Sequence, residues 1–235
     1  LSNVNTVGFK SDRINFESLL YQISRVAGDP TSEGTALTSP LALGTGVRAV
    51  NTEKKFSQGA MITTDNALDL AIDGDGFFQV TNPNGGTSFT RSGSFKQDGA
   101  GNLVDASGNA LLPAVNVPGN NTGISVDSNG QISSQVGGEP EVAGQLQLAN
   151  FQNPSGLQAA GGNLLNESAA SGAPVAGNPG TGGLGTVRSG FLEGSNVDIT
   201  EEIVDQIVSK VAFKANVNVI KANDELIGTI LDIKS

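Results

Sequence analysis

Two carboxylates within four positions, Asp73-Gly-Asp75-Gly76, are the first residues whose spacing could do chemistry, because hard cations such as calcium are held by clustered carboxylate oxygens. The calcium-loop pattern ends at the second Asp, and the flanking apolar runs 68–72 and 77–80 make the same four residues a hairpin turn. Gly180-Thr-Gly182-Gly-Leu-Gly185 matches the dinucleotide fingerprint G-x-G-x-x-G, and Gly44-Thr-Gly46-Val-Arg-Ala49 matches its Ala-ended variant. That motif grips a pyrophosphate only where a strand enters it and a helix opens from it. Pro179 and a Gly-rich coil precede the first match, and neither is followed by a phosphate-gripping Lys, so both lack the context that nucleotide binding needs. The chain has no His and no Cys, which excludes Ser-His-Asp and Cys-His catalysis, thiolate zinc sites, haem attachment and disulfides. A carboxylate pair of the glycosidase kind stays open, since 23 acids are available, although Tyr21 alone and no Trp offer a sugar-stacking surface beside Phe. Lys10, Arg13, Arg25, Lys54 and Lys55 make the front of the chain more basic than the rest and read as a solvated face.

The elements that would position these residues follow from composition and period. The 235 residues suffice for one or two domains with a real core, and a net charge of −10 argues against a surface that coats nucleic acid. Thirty-two glycines suit many turns, and 37% apolar residues are too many for a wholly disordered chain. No apolar run reaches the eighteen or so residues of a membrane span, so no direct membrane insertion is expected. The first residue is not Met, and the sequence reads as a fragment.

Segment 1–20 predicts a turn leading into a short extended or helical piece. Segment 21–48, with Pro30 and Pro40 among many glycines, predicts a long irregular arm. In segment 49–153, short apolar runs alternate with turn signals at Asp73-Gly74, Asn84-Gly85, Asp98-Gly99, Gly108-Asn109 and Asn129-Gly130. Asn-Gly and Asp-Gly supply the positive φ of two-residue hairpin turns, and turns every eight to twelve residues predict an antiparallel β-domain whose last strand lies in 141–151. Segment 154–186 collapses into Gly, Ala, Pro, Asn and Ser and predicts a linker or extended return path. Segment 187–199 predicts a last strand and a turn, and 200–235 a helix.

That helix carries the sharpest pattern. Thr200 is the expected N-cap, with Glu201, Glu202 and Asp205 in the first turn where acids suit the macrodipole. One face runs Val204, Val208, Val211, Ala215, Val219, Ala222, Leu226, Ile230 and Ile233, close to an eleven-residue repeat. Such a stripe on a terminal helix predicts packing against a partner helix, and the β-branched run around Val217, Val219 and Ile220 makes the helix depend on it.

Both ends of the chain carry a family resemblance. Leu1-Ser-Asn3-Val4-Asn-Thr6-Val-Gly8-Phe9-Lys10 resembles the rod signature of bacterial flagellar axial proteins, and Ser195-Asn196-Val197-Asp198-Ile-Thr-Glu201-Glu202 resembles the motif that opens their C-terminal helix. In the middle, Leu70-Ala-Ile-Asp-Gly-Asp-Gly-Phe-Phe-Gln-Val80 and Thr90-Arg-Ser-Gly-Ser-Phe95 resemble the β-rich segment shared by rod and hook proteins. The arm at 21–48 places the chain nearest the distal rod members. The resemblance implies a mainly β fold with terminal α: an antiparallel β-domain inserted between chain ends that form a helical assembly core. It also implies a non-enzymatic subunit of the periplasm-spanning rod of the flagellar basal body, passed through a type III export apparatus and polymerised with itself into a hollow drive shaft. Its implied partners are proximal rod proteins, the hook protein and the surrounding P and L rings, with no cofactor, metal or nucleic acid. The family's N-terminal helix would lie upstream of Leu1. The rival readings are a hook or proximal rod subunit, a secreted β-domain adhesin, and a carboxylate hydrolase.

Overall fold

The computed structural model describes residues 1–27, 30–32, 35–36, 39–82 and 85–232. Chain direction in the β-region is set by a recurring five-residue loop, Asp-x-x-Gly-Asn or Gln, at Asp98, Asp105 and Asp127. Asp98 Oδ1 accepts the amides of Ala100 and Asn102, both at 2.8 Å, and its Oδ2 accepts Asn102 Nδ2 at 3.1 Å. Asp105 repeats this with Ser107 and Asn109, and Asp127 Oδ1 accepts the backbone amides of Asn129 and Gln131 in the same way. The fourth residue of each loop has φ of +90°, +87° and +81°, a left-handed conformation that only glycine adopts without strain. The reading of two-residue Asn-Gly turns is therefore corrected: Asn129 does not take positive φ, and the Asp side chain closes a longer loop instead. Asn84 lies outside the described residues. Asp73-Gly-Asp-Gly76 is not a hairpin either, because its two flanking strands pair elsewhere, Leu70–Asp73 with Thr186–Ser189 and Phe77–Thr81 with Thr87–Thr90.

The central sheet has the order Gln158–Gly161, Leu164–Asn166, Thr87–Thr90, Phe77–Thr81, Leu148–Asn150, Val175–Gly177, with Leu111–Leu112 also paired to Phe77–Thr81, all antiparallel. Successive side chains of a strand point to opposite faces, so Phe77 and Phe78 each seed a separate core. Phe78 joins Leu70, Ile72, Val80, Phe95 and Leu148 in the larger cluster, meeting Phe95 edge-to-face at 5.3 Å. Phe77 joins Phe89, Phe151, Leu157 and Leu165 across the sheet. A three-stranded meander, Asn121–Val126, Gln131–Val136 and Glu139–Gln145, packs Ile132 into the larger cluster, which Leu146 joins just past the last strand. The strand expected in 141–151 is two strands. Segment 154–186 is more than a return path: its three strands join the sheet, borrowing a core supplied by others, with Leu157 and Leu165 as anchors.

The chain's front leaves this domain as a long two-stranded ribbon. Asp12–Ser18 pairs with Val47–Lys54, and Tyr21–Arg25 with Leu41–Gly44, so where the arm is described next to the domain it runs as paired strands with a register irregularity in each ladder. Within the arm, residues 28–29, 33–34 and 37–38 lie outside the described residues. The ribbon is two-faced at its base. One side carries Ile14, Phe16, Ala49 and Val47, with the Lys54–Asp12 ion pair at 3.0 Å at its foot, while the other carries the ion pairs Arg48–Glu17 at 2.5 Å and Arg13–Glu53 at 3.6 Å. At the other end of the chain stands the helix Ile199–Asp232. The architecture is thus mostly antiparallel β with one C-terminal helix.

Candidate functional site at the junction of the chain ends

Residues from the two ends of the sequence meet at the foot of the ribbon. The N-terminal segment folds as successive turns closed by Thr6 N donating to Asn3 O and Phe9 N donating to Thr6 O, with the Thr6 hydroxyl on Asn3 Oδ1 at 3.4 Å. Gly8 then donates its amide to Glu193 O at 2.8 Å. Gly8 has φ of +68°, and a Cβ there would stand 2.5 Å from Ser92 N, so the close approach of this segment to the Arg91–Ser92 backbone requires glycine. Asn196 ties the second signature to the first: its Oδ1 accepts Ser11 N at 2.8 Å, its amide donates to Phe9 O, and its Nδ2 donates to Lys55 O.

Beneath these contacts lies a buried ionic cluster. Glu193, at 0% exposure, ends the strand Phe191–Glu193, which is held against Met61–Thr63. Its Oε1 accepts Lys10 Nζ at 2.6 Å and Gly59 N at 3.0 Å, and its Oε2 accepts Arg91 Nη1 at 3.3 Å. Lys10 also donates to Ser57 O at 2.7 Å, and the Arg91 guanidinium lies 5.3 Å from the Phe77 ring. A buried charge is tolerated only when paired and hydrogen-bonded. Burial pushes the pKa values of Lys10 and Arg91 down, and the Glu193 carboxylate opposes that for both. Lys10, expected on a solvated face, is buried, because it neutralises an acid 183 positions away.

Sequence reasoning missed Glu193 as a site residue, along with Arg91 and Gly59. The available signal was a charge at the end of an apolar strand on either side, Thr90-Arg91 and Leu192-Glu193. The enclosed Glu193 carboxylate has both oxygens hydrogen-bonded within the protein, so the cluster ties these segments to one another.

Beyond the cluster, Asp198 caps the helix. Its Oδ1 accepts Thr200 N at 2.7 Å and Glu201 N at 3.3 Å, which holds its pKa below the ordinary carboxylate value. Thr200, expected as the cap, is already inside the helix, and Glu201 and Glu202 lie in its first turn. Val197 takes a turn with its amide on Ser195 Oγ, and Val4 closes the first turn of the chain onto Leu1 O. Of the apolar stripe, Val204, Val208, Val211, Ala215, Val219, Ala222 and Leu226 are all exposed. The side chain of Ile230 and the whole of Ile233 lie outside the described residues. Among the described residues no group of His, Cys, Asp and Glu could hold a metal, and no helix is long and apolar enough to cross a membrane.

Two family models match the chain: the Flagellar hook protein FlgE/F/G D1 domain over residues 71–134, and the Flagellar basal body rod FlgEFG protein C-terminal domain over 188–233. The flagellar basal-body rod protein FlgG of Buchnera aphidicola subsp. Acyrthosiphon pisum is 45% identical over 97% of this chain and 88% of its own length. The chain belongs to the flagellar basal-body rod protein family. FlgG of Borreliella burgdorferi is 40% identical and FlgG of Bacillus subtilis 36%, each over 100% of this chain and 90% of the relative. The flagellar hook protein FlgE of Salmonella typhimurium is 29% identical over 78% of this chain and 44% of its own length, so this rod-family chain stands with rod rather than hook proteins. It is a structural subunit of the distal rod in the flagellar basal body.

Proposed function

We propose that each copy contributes three parts to a hollow helical drive shaft: the helix 200–235 and segment 1–20 to an assembly core, the arm 21–48 to contacts between neighbours, and the β-domain 49–153 to the outside. Segments 154–186 and 187–199 return the chain from the domain to the core. The observation that supports this reading is apolar exposure concentrated on the helix and the ribbon; beyond them the exposed large apolar residues among those described are Leu1, Ile62, Val142 and Val175. Val208, Val211, Phe213, Val219 and Leu226 are 60–70% exposed on one helix, and Phe16, Leu20, Tyr21, Ile23 and Val47 are 61–89% exposed on the ribbon. Monomeric proteins rarely leave contiguous apolar surface of this kind bare, and a lone two-stranded hairpin is marginal in water. Contacts that repeat head to tail without closing a ring give an open helical polymer.

The buried cluster supports the mechanical side of the reading. It makes the Gly8–Lys10 segment, the Arg91 loop and the strand feeding the helix one rigid joint, so that force on the helix reaches the β-domain through ionic and backbone bonds. The role is structural and non-enzymatic. Proximal rod proteins and the hook protein meet the two ends of the tube, the P and L rings surround it, and the type III export apparatus delivers the chain; a Cys-free chain with one small β-domain suits refolding after export. The adhesin and hydrolase readings have no comparable support. Negative-stain electron microscopy at rising concentration tests the proposal. Straight tubes are expected for the chain carrying a flagellar-type N-terminal helix ahead of Leu1, and none for its Val208→Asp, Val219→Asp variant; an extended chain that stays monomeric throughout overturns self-assembly.

A further inference from the structure

We propose that the cavity bounded by the N-terminal segment, the Arg91 loop and the Gly161–Asn163 turn is a carboxylate site, filled by an acidic side chain of a second copy of this chain. The cavity has a volume of about 190 Å³, with Lys10, Lys54 and Arg91 in its wall. One liquid water takes roughly 30 Å³, so a carboxylate fits with solvent to spare. Its rim is fixed by Asn163, in the left-handed conformation at φ 61°, whose Nδ2 donates to Val7 O at 3.1 Å. Gly161 and Gly162 leave the mouth open, since a Cβ on either would meet nothing within 4 Å.

The donors are undersupplied with acceptors. Arg91 is 4% exposed and offers five N–H groups, yet only Nη1 reaches Glu193, and its Nε has no partner. Among the surrounding acids, Glu193 is shared between Lys10 and Arg91, Asp12 is taken by Lys54 at 3.0 Å, and Asp75 acts on Arg91 only through space. Burial still depresses both buried cations, so a further anion would stabilise their charged forms. The second copy as source rests on the assembly proposed above. The chain carries 23 acids against 13 bases, and Glu139 and Glu141 stand on an exposed hairpin with no ion pair among the described residues. Acidic side chains are therefore what neighbouring copies have to offer.

The cavity and its source are tested separately. First, the isotope-labelled chain is titrated with sodium acetate and, at equal ionic strength, sodium chloride, following the amides of Gly8, Gly162 and Asn163. Acetate is expected to move them saturably, at least tenfold more weakly in Lys54→Met. Ala159→Glu, which places a carboxylate on the cavity wall, is expected to abolish the shifts and raise the melting temperature, whereas Ala159→Gln does neither. Equal, non-saturating shifts with both salts overturn the site and leave the assembly reading standing. Second, tubes grown from mixed light and heavy copies are treated with a carbodiimide, which condenses amine and carboxylate with loss of water. An inter-copy bond between Lys54 and an Asp or Glu is expected, and tubes cross-linked elsewhere but never at Lys54 overturn the second-copy source.

Discussion

Glu193 is the residue on which the junction turns, and its carboxylate is fully committed: one oxygen to Lys10 and Gly59, the other to Arg91. Removing one partner of a buried pair leaves the other charges uncompensated, which costs about 3–5 kcal/mol. Glu193→Ala is therefore expected to lower unfolding free energy by about that amount in denaturant titrations, and Glu193→Gln by less, since it keeps an acceptor. A loss below about 1 kcal/mol for the Ala variant would mean that the cluster does not hold the joint. At the helix start, Asp198 has a pKa lowered by the amides of Thr200 and Glu201. A depressed carboxylate contributes stability fully above its unfolded value of about 3.9 and loses it as pH falls through the lower folded value. Helicity followed by circular dichroism should thus fall in acid below about pH 4, and fall less steeply in Asp198→Asn, whose cap does not titrate.

Two elements stand outside the packed domain and are expected to behave alike in a dilute monomer. The helix Ile199–Asp232 has Val217 as its one half-buried side chain among those described, and its β-branched residues lower intrinsic helicity. Hydrogen exchange along it should be fast in the monomer and slow in the tube; strong protection in the monomer would show a helix that stands alone. One side of the ribbon carries Ile14, Phe16, Val47 and Ala49 beyond the Lys54–Asp12 pair and the other carries two ion pairs, so the apolar stretch is the part that must find cover. Deleting residues 22–46 removes the outer part of the ribbon, with the exposed Ile23, Val26, Leu41 and Leu43, and should change the stiffness or curvature of the polymer seen by electron microscopy. An unchanged straight tube would assign the ribbon no part in shaft mechanics.

For the whole molecule, stability and assembly are separable because they use different surfaces. Folding rests on the two clusters either side of the central sheet, where Phe78→Ala should remove about 3–5 kcal/mol by opening a cavity. Assembly rests on the helix and ribbon, whose exposed side chains add nothing to the monomer's core. Calorimetry on the Val208→Asp, Val219→Asp variant should leave the β-domain transition where it is while the tubes vanish. A shifted transition would tie the helix to the domain's own core.

The sequence by itself determined the parts that depend on local pattern: the mainly β middle, the terminal helix with its apolar face, and the absence of His and Cys that closes off most catalysis. Period and turn chemistry act over a few residues, so they are legible without the fold. Tertiary structure alone decided which strands pair across the chain, that 154–186 completes a sheet, and that the arm is a ribbon, because pairing depends on which partner edge is free. It alone decided that Lys10 is buried, since its partners Glu193 and Ser57 lie 183 and 47 positions away and no local rule reaches that far. A lone basic residue reads as solvated until the acid that neutralises it is brought within hydrogen-bond distance.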